Sequence, residues 1–182
     1  ANTVFSLDRA TALVLRVRHN TASLSLNSPT QEIALWRAAA ALGIAPDVLW
    51  AGPNEDVVIT KRLTFDGIGD EAHSLLLKNV HESGIQAPRL SLEKAATRYV
   101  EAIREKDLGH LAVDIEIPAI REDLQQLDNE PSCFCHNDLT PTNIGKIEGR
   151  YLAIDWEYAS LGSRHFDIAV ASQHMEENVR IL

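Results

Sequence analysis

Between positions 131 and 145 the chain reads PSCFCHNDLTPTNIG, a run that gathers two cysteines, a histidine, two asparagines and an aspartate. Such a run is either a metal-binding knot or a loop that carries chemistry, and the two demand different folds. Cys133 and Cys135 are the only cysteines in the chain, so a four-ligand zinc site built on them needs His136 and a distant fourth group. In a strand, residues two apart share a face while His136 points to the other, so these three do not converge without a bend. A disulfide between positions i and i+2 is strained. The cysteines therefore read as small apolar residues buried in a strand, which leaves the loop reading for the polar residues that follow.

The chain as a whole bounds what that loop can serve. Its 182 residues carry a net charge of −9 with 45% hydrophobic content, which fits a globular protein of one domain or two small lobes. No window approaches the apolar length of a membrane span, and the first residues lack the basic start and apolar run of a signal peptide, so cytoplasm is the expected location and no membrane partner is expected. Stripes of Lys and Arg are missing, which argues against a nucleic-acid backbone as main partner. An acidic field suits a cationic substrate, although it also serves solubility alone.

Along the chain, NTVFSLDRATALVLRVRH reads as two strands, Val4, Phe5 and Leu7, then Ala12 to Val17, around a turn at Asp8-Arg9-Ala10. A helix follows, punctuated by Ser28 as N-cap, Pro29 at the first position, Glu32 early and Gly43 past the end, with Ile33, Trp36 and Ala40 on its packed face. Two short strands, DVLWAG and DVVITKRL, flank a Gly52-Pro53-Asn54 turn. After Leu63 the pattern turns helical: Asp70 to His81, Leu92 to Lys106, and Ile117 to Leu127 beyond a Gly109-His110 break. SCFCH and YLAIDW then read as strands lying side by side, joined by a loop and the KIEGRY turn, before a closing helix in RHFDIAVASQHM.

The polar residues of the opening run stand as H-N-D-x-x-x-x-N, His136, Asn137, Asp138 and Asn143, and Asp155 in AIDWEYA follows Asn143 by twelve positions. This spacing resembles a kinase catalytic loop followed by its metal-binding strand. Phosphoryl transfer needs a carboxylate to orient a hydroxyl and take its proton, together with oxygen ligands that hold magnesium on the ATP phosphates. Asp138 suits the first task, and Asn143 and Asp155 suit the second.

The resemblance extends over nearly the whole chain and is to the choline kinase, thiamine kinase and aminoglycoside phosphotransferase group, small-molecule kinases with a protein-kinase-like fold. HNDLTPTN is similar to that group's catalytic loop, IDWEYA to the metal motif of its choline and thiamine branches, and HFDIA to a helix whose Asp167 buttresses the loop. Arg16 in LVLRV matches the basic residue that meets the ATP phosphates, and Glu32 its ion-pair partner. The resemblance implies an α+β, two-lobed fold. Residues 1–63 would form a small antiparallel-sheet N-lobe with one helix, and residues 64–182 part of a mainly helical C-lobe, apparently truncated at both ends. Adenine is expected between the lobes, against the backbone of Ile59, Lys61 and Leu63. Glu157 either assists a second magnesium or is a surface acid, His136 either holds the loop through hydrogen bonds or takes a direct part in the chemistry, and Trp156 and Tyr158 fit either a core or an aromatic wall for a cation.

The resemblance implies an ATP- and Mg2+-dependent kinase acting on a small alcohol, choline before ethanolamine or thiamine. Its rivals are an aminoglycoside phosphotransferase and a catalytically silent binding protein. Retention of Asp138, Asn143 and Asp155 together argues against silence, and IDWEYA leans away from the aminoglycoside branch.

Overall fold

A computed structural model describes residues 2–8, 12–18, 26–105 and 117–173. Most of the first predicted turn, the Gly109-His110 break and the chain after position 173 lie outside the described residues. Strands β1 (Asn2–Asp8) and β2 (Leu13–Arg18) pair antiparallel, and β2 continues onto β4 (Val57–Lys61), whose other edge takes β3 (Val48–Ala51). The sheet order is thus β1-β2-β4-β3, antiparallel throughout. Helix α1 (Pro29–Ala41) starts where predicted because Ser28 and Gln31 close a reciprocal capping box and Pro29 presets the first turn. It stops at Gly43, whose φ of 73° suits a residue without Cβ. Ile33, Trp36 and Ala39 form its buried face; Ala40, expected there, is only half-buried.

Helices α2 (Asp70–His81), α3 (Leu92–Glu105) and α4 (Ile117–Asn129) follow close to the expected bounds. Asp128, near the end of α4, accepts the backbone N–H of Leu92 at 2.7 Å and so ties the start of α3 to α4. No helix among the described residues is long and apolar enough to cross a membrane.

The strand pairing after position 131 differs from the expected one. Strand β5 (Ser132–Cys135) does not lie beside the YLAIDW strand. It pairs with β8 (Ser160–Ser163), whereas β7 (Arg150–Ala153) pairs with β6 (Ile144–Ile147). The cause is local: Glu148 and Gly149 both have positive φ, 50° and 82°, the conformation of a two-residue hairpin turn whose twist matches its strands. That turn folds β7 onto the residues just after Asn143, and β5 is left to the Ser-Leu-Gly-Ser segment, which has too little apolar alternation to announce a strand. Helix α5 (Arg164–Ser172) closes the described fold.

One apolar core runs through both the sheet-bearing and the helical parts, joining Ile33 and Trp36 of α1 and Val58 of β4 to Leu76, Val80, Phe134, Leu139 and Trp156. The passage between the parts is pinned at Thr64, which exchanges backbone hydrogen bonds with Lys146 at 3.0 and 2.8 Å. Beside it, a Cβ placed on Gly145 would stand 2.6 Å from the Leu63 Cβ. Gly145→Ala is therefore expected to cost about 1–3 kcal/mol by overpacking, read as a lower urea midpoint with unchanged slope.

Candidate active site

The H-N-D segment leaves β5 and must turn sharply, and Asn137 accomplishes this with a left-handed φ of 64°, which asparagine tolerates better than most residues. Asp167 of α5, fully buried, holds the turn: its two carboxylate oxygens accept the backbone N–H groups of His136 at 2.9 Å and Asn137 at 2.8 Å. The same carboxylate meets Nε2 of His81, the last residue of α2, at 3.0 Å. Asn137 itself donates through Nδ2 to the Tyr158 carbonyl and the Ser160 hydroxyl, so the loop is stitched to the segment that enters β8.

His136 is buried against the Trp156 ring, with centroids 4.6 Å apart, and its Nε2 donates to the Ile154 carbonyl at 3.0 Å. Burial pushes its pKa below the ordinary histidine value, against the pull of Asp167 and Asp138. A neutral ring is therefore held as an Nε2–H tautomer on the residue between the Arg150–Ala153 strand and Asp155. His73 acts similarly from α2, with Nε2 2.7 Å from the Leu139 carbonyl.

Asp138 and Asn143 meet across the loop. Asn143 Nδ2 donates to both the Asp138 carbonyl, at 2.9 Å, and its carboxylate, at 2.7 Å, which leaves the Asn143 side-chain oxygen turned to other use. Partial burial raises the Asp138 pKa above the ordinary aspartate value, and Asp155 and Asp167 push the same way, while His136 and Asn143 oppose. Asp155 is held in the left-handed region at φ 67°. Its carboxylate accepts Asn2 Nδ2 at 3.2 Å and lies 3.5 Å from Arg16 Nη1.

Arg16 and Glu32 form the expected pair, 2.5 Å apart, with Glu32 fully buried and the arginine lying over Trp36 at 5.0 Å from its ring centre. A second cation that the sequence reading missed completes it: Arg18 Nη1 contacts the other Glu32 oxygen at 2.8 Å, and its Nη2 lies 3.8 Å from Glu157. The signal was available, because residues 16 and 18 share a strand face. Burial raises the Glu157 pKa, and the charges of Asp155 and Glu32 add to that rise. Asn27 was also missed; its Nδ2 donates to the Trp156 and Ala159 carbonyls at 3.3 and 2.8 Å, fastening the approach to α1 onto the Asp155 segment.

Asp138 opens onto a cavity of about 330 Å³ lined by Tyr99, Asn137, Tyr158 and Phe166 with Leu90 and Leu92. Trp156 is core, whereas Tyr158 lines this cavity. Burial and the neighbouring Tyr99 hydroxyl push the Tyr158 phenol up, so it remains protonated. Ile59 is half-buried in β4 and Leu63 is buried, while Lys61 lines a different cavity, with Asp47 and Arg150.

A four-stranded antiparallel sheet with one packed helix, followed by helices and then by short strands that carry an H-N-D-x-x-x-x-N loop and a later aspartate, is a protein-kinase-like fold. The model of the phosphotransferase enzyme family matches residues 1–181, and the chain belongs to that family. It is 30% identical over 93 residues to a LicA homolog protein of Mycoplasma capricolum, an alignment spanning 51% of this chain and 38% of that one. It is 32% identical over 102 residues to ethanolamine kinase 2 of Mus musculus, spanning 50% and 26% of the two chains. A crystal structure of a choline/ethanolamine kinase family protein from Mesorhizobium loti superposes with a TM-score of 0.68 at 21% identity, covering 98% of this chain and 63% of that one. The alignments thus span about a quarter to two thirds of these proteins' own lengths.

Proposed function

We propose that this protein transfers the terminal phosphoryl group of ATP to the hydroxyl of a small cationic alcohol, choline or ethanolamine in the first place. The observation that carries the reading is the cavity in which the Asp138 carboxylate adjoins Tyr99, Tyr158 and Phe166. Aromatic faces attract a substituted ammonium, and a carboxylate at the edge of the same cavity meets the alcohol end. The alcohol is therefore oriented before reaction.

In this mechanism Asp138 accepts a hydrogen bond from the hydroxyl and takes its proton as the oxygen bonds to phosphorus and the bond to the departing ADP breaks. Asn143 keeps the Asp138 carboxylate and carbonyl in one orientation through its two hydrogen bonds. Arg16, steadied by Glu32, offers positive charge to the phosphates, and its buried Nε has no hydrogen-bond partner among the described residues, a spare donor for an anion. The backbone of Ile59, Lys61 and Leu63 would receive the adenine. Hard oxygen donors suit magnesium, and the amide oxygen of Asn143, without a partner among the described residues, supplies such a set with the half-buried carboxylates of Asp155 and Glu157. Magnesium bound there would neutralise phosphate charge.

The test is ATP consumption with magnesium in the presence of choline, ethanolamine or thiamine. One preferred acceptor among them is expected, and Tyr158→Ala should raise its KM about tenfold with kcat little changed, the size of a partly desolvated cation–π contact. Phosphorylation of kanamycin with none of the three accepted would overturn the reading.

A further inference from the structure

The cysteines that do not converge with His136 converge with a different histidine. Cys133 and Cys135 project from one face of β5, their sulfurs 3.7 Å apart, and α2 packs against that strand. His81 ends α2, and ligand atoms of His81, Cys133 and Cys135 all lie within 4.8 Å of one another. The sequence hides this group because 52 positions separate His81 from Cys133.

We propose that His81, Cys133 and Cys135 form a site for a single thiophilic cation, Zn2+, separate from the magnesium ligands and independent of the kinase reading. Four observations carry the assignment. Two thiolates about 2.3 Å from one tetrahedral ion stand about 3.8 Å apart, and the sulfurs here need almost no movement to meet that spacing. Sulfur and imidazole together select zinc over the hard cations that oxygen ligands hold. Asp167 engages His81 through Nε2, so Nδ1, which has no partner among the described residues, is the ring nitrogen a metal would take. A buried carboxylate on the second ring nitrogen is the usual support of a metal-bound histidine. Finally, Cys135 is buried while Cys133 is only half-buried, so the group is closed behind and approachable in front. Three protein ligands leave a fourth position for water or another small ligand. The site also adjoins the catalytic loop: Cys135 immediately precedes His136, and the Asp167 that orients His81 also holds the His136 and Asn137 amides.

The experiment is a titration of the reduced protein, kept in a non-thiol reductant, with Co2+ and then Zn2+. One equivalent of Co2+ is expected to produce thiolate-to-cobalt charge-transfer absorption together with the strong visible bands of a tetrahedral ion, and Zn2+ should erase both. Cobalt on the carboxylates of the magnesium site gives no sulfur band, so the readout is specific. Cys133→Ser, an isosteric change at a half-buried position, should abolish the charge-transfer band. His81→Gln, checked for folding by circular dichroism, should weaken Zn2+ affinity by more than about 100-fold, since even losing an outer-shell partner costs 10- to 100-fold. No sulfur band with the unaltered protein would overturn the site. A band and affinity unchanged in folded His81→Gln would overturn it as well, by showing a two-sulfur chelate that does not use the histidine.

Discussion

Asp138→Asn is expected to lower kcat by about 10²- to 10⁴-fold, the usual worth of a positioned general base, with folding retained. The side chains are nearly the same size, and the asparagine oxygen can still accept from Asn143 Nδ2, so the loop keeps its shape. What disappears is the capacity to take the hydroxyl proton. A pH profile separates this from mere misplacement. In the proposed mechanism Asp138 acts ionised, and burial holds its pKa above the ordinary aspartate value. Activity should therefore be full at higher pH and fall as pH drops through a value above the usual aspartate range. In Asp138→Asn that acid limb should vanish from the residual rate. A variant with near-normal kcat would remove Asp138 from the chemistry.

Glu32→Ala should produce the largest loss of stability, about 3–5 kcal/mol, the cost of stripping one partner from a buried ion pair. Glu32 is fully buried and engages Arg16 with one oxygen and Arg18 with the other. Removing it leaves two guanidinium groups largely out of water with their shared counter-charge gone. Arg16 is also 3.5 Å from Asp155, so on the proposed role of Arg16 toward the ATP phosphates its release should raise the KM for ATP. Denaturant unfolding and ATP kinetics measure the two effects. Glu32→Gln should recover part of the stability by keeping one acceptor oxygen, and little of the ATP effect, because the charge is still missing. A midpoint unchanged in Glu32→Ala would mean that the two arginines find water or other acceptors.

Much of the outline was legible because it rests on interactions between near neighbours in sequence. The start of α1 is written in Ser28 and Pro29, its end in Gly43, and the bounds of α2 in a run of apolar spacing. The H-N-D-x-x-x-x-N spacing stood out for the same reason: Asp138 and Asn143 are five positions apart and meet within one loop. Arg18 was less legible than Arg16, since a strand face that presents two arginines does not say which of them reaches a buried acid. The pairing of β5 with β8 was not legible at all. Register between short strands depends on which edges remain open, and here the Glu148-Gly149 turn had already committed β7 to β6.

By itself, then, the sequence determined the local elements, the loop that carries the candidate catalytic carboxylate and the family whose pattern it follows, because these depend on contacts a few residues long. Only the tertiary structure decided which distant groups share a site. It brought Asn2, Arg16 and Asp155 together, gathered Tyr99, Tyr158 and Phe166 around Asp138, and set His81 beside Cys133 and Cys135. Those neighbours are selected by packing of the shared core and by the buried carboxylates of Glu32 and Asp167, each of which must find donors wherever the fold supplies them.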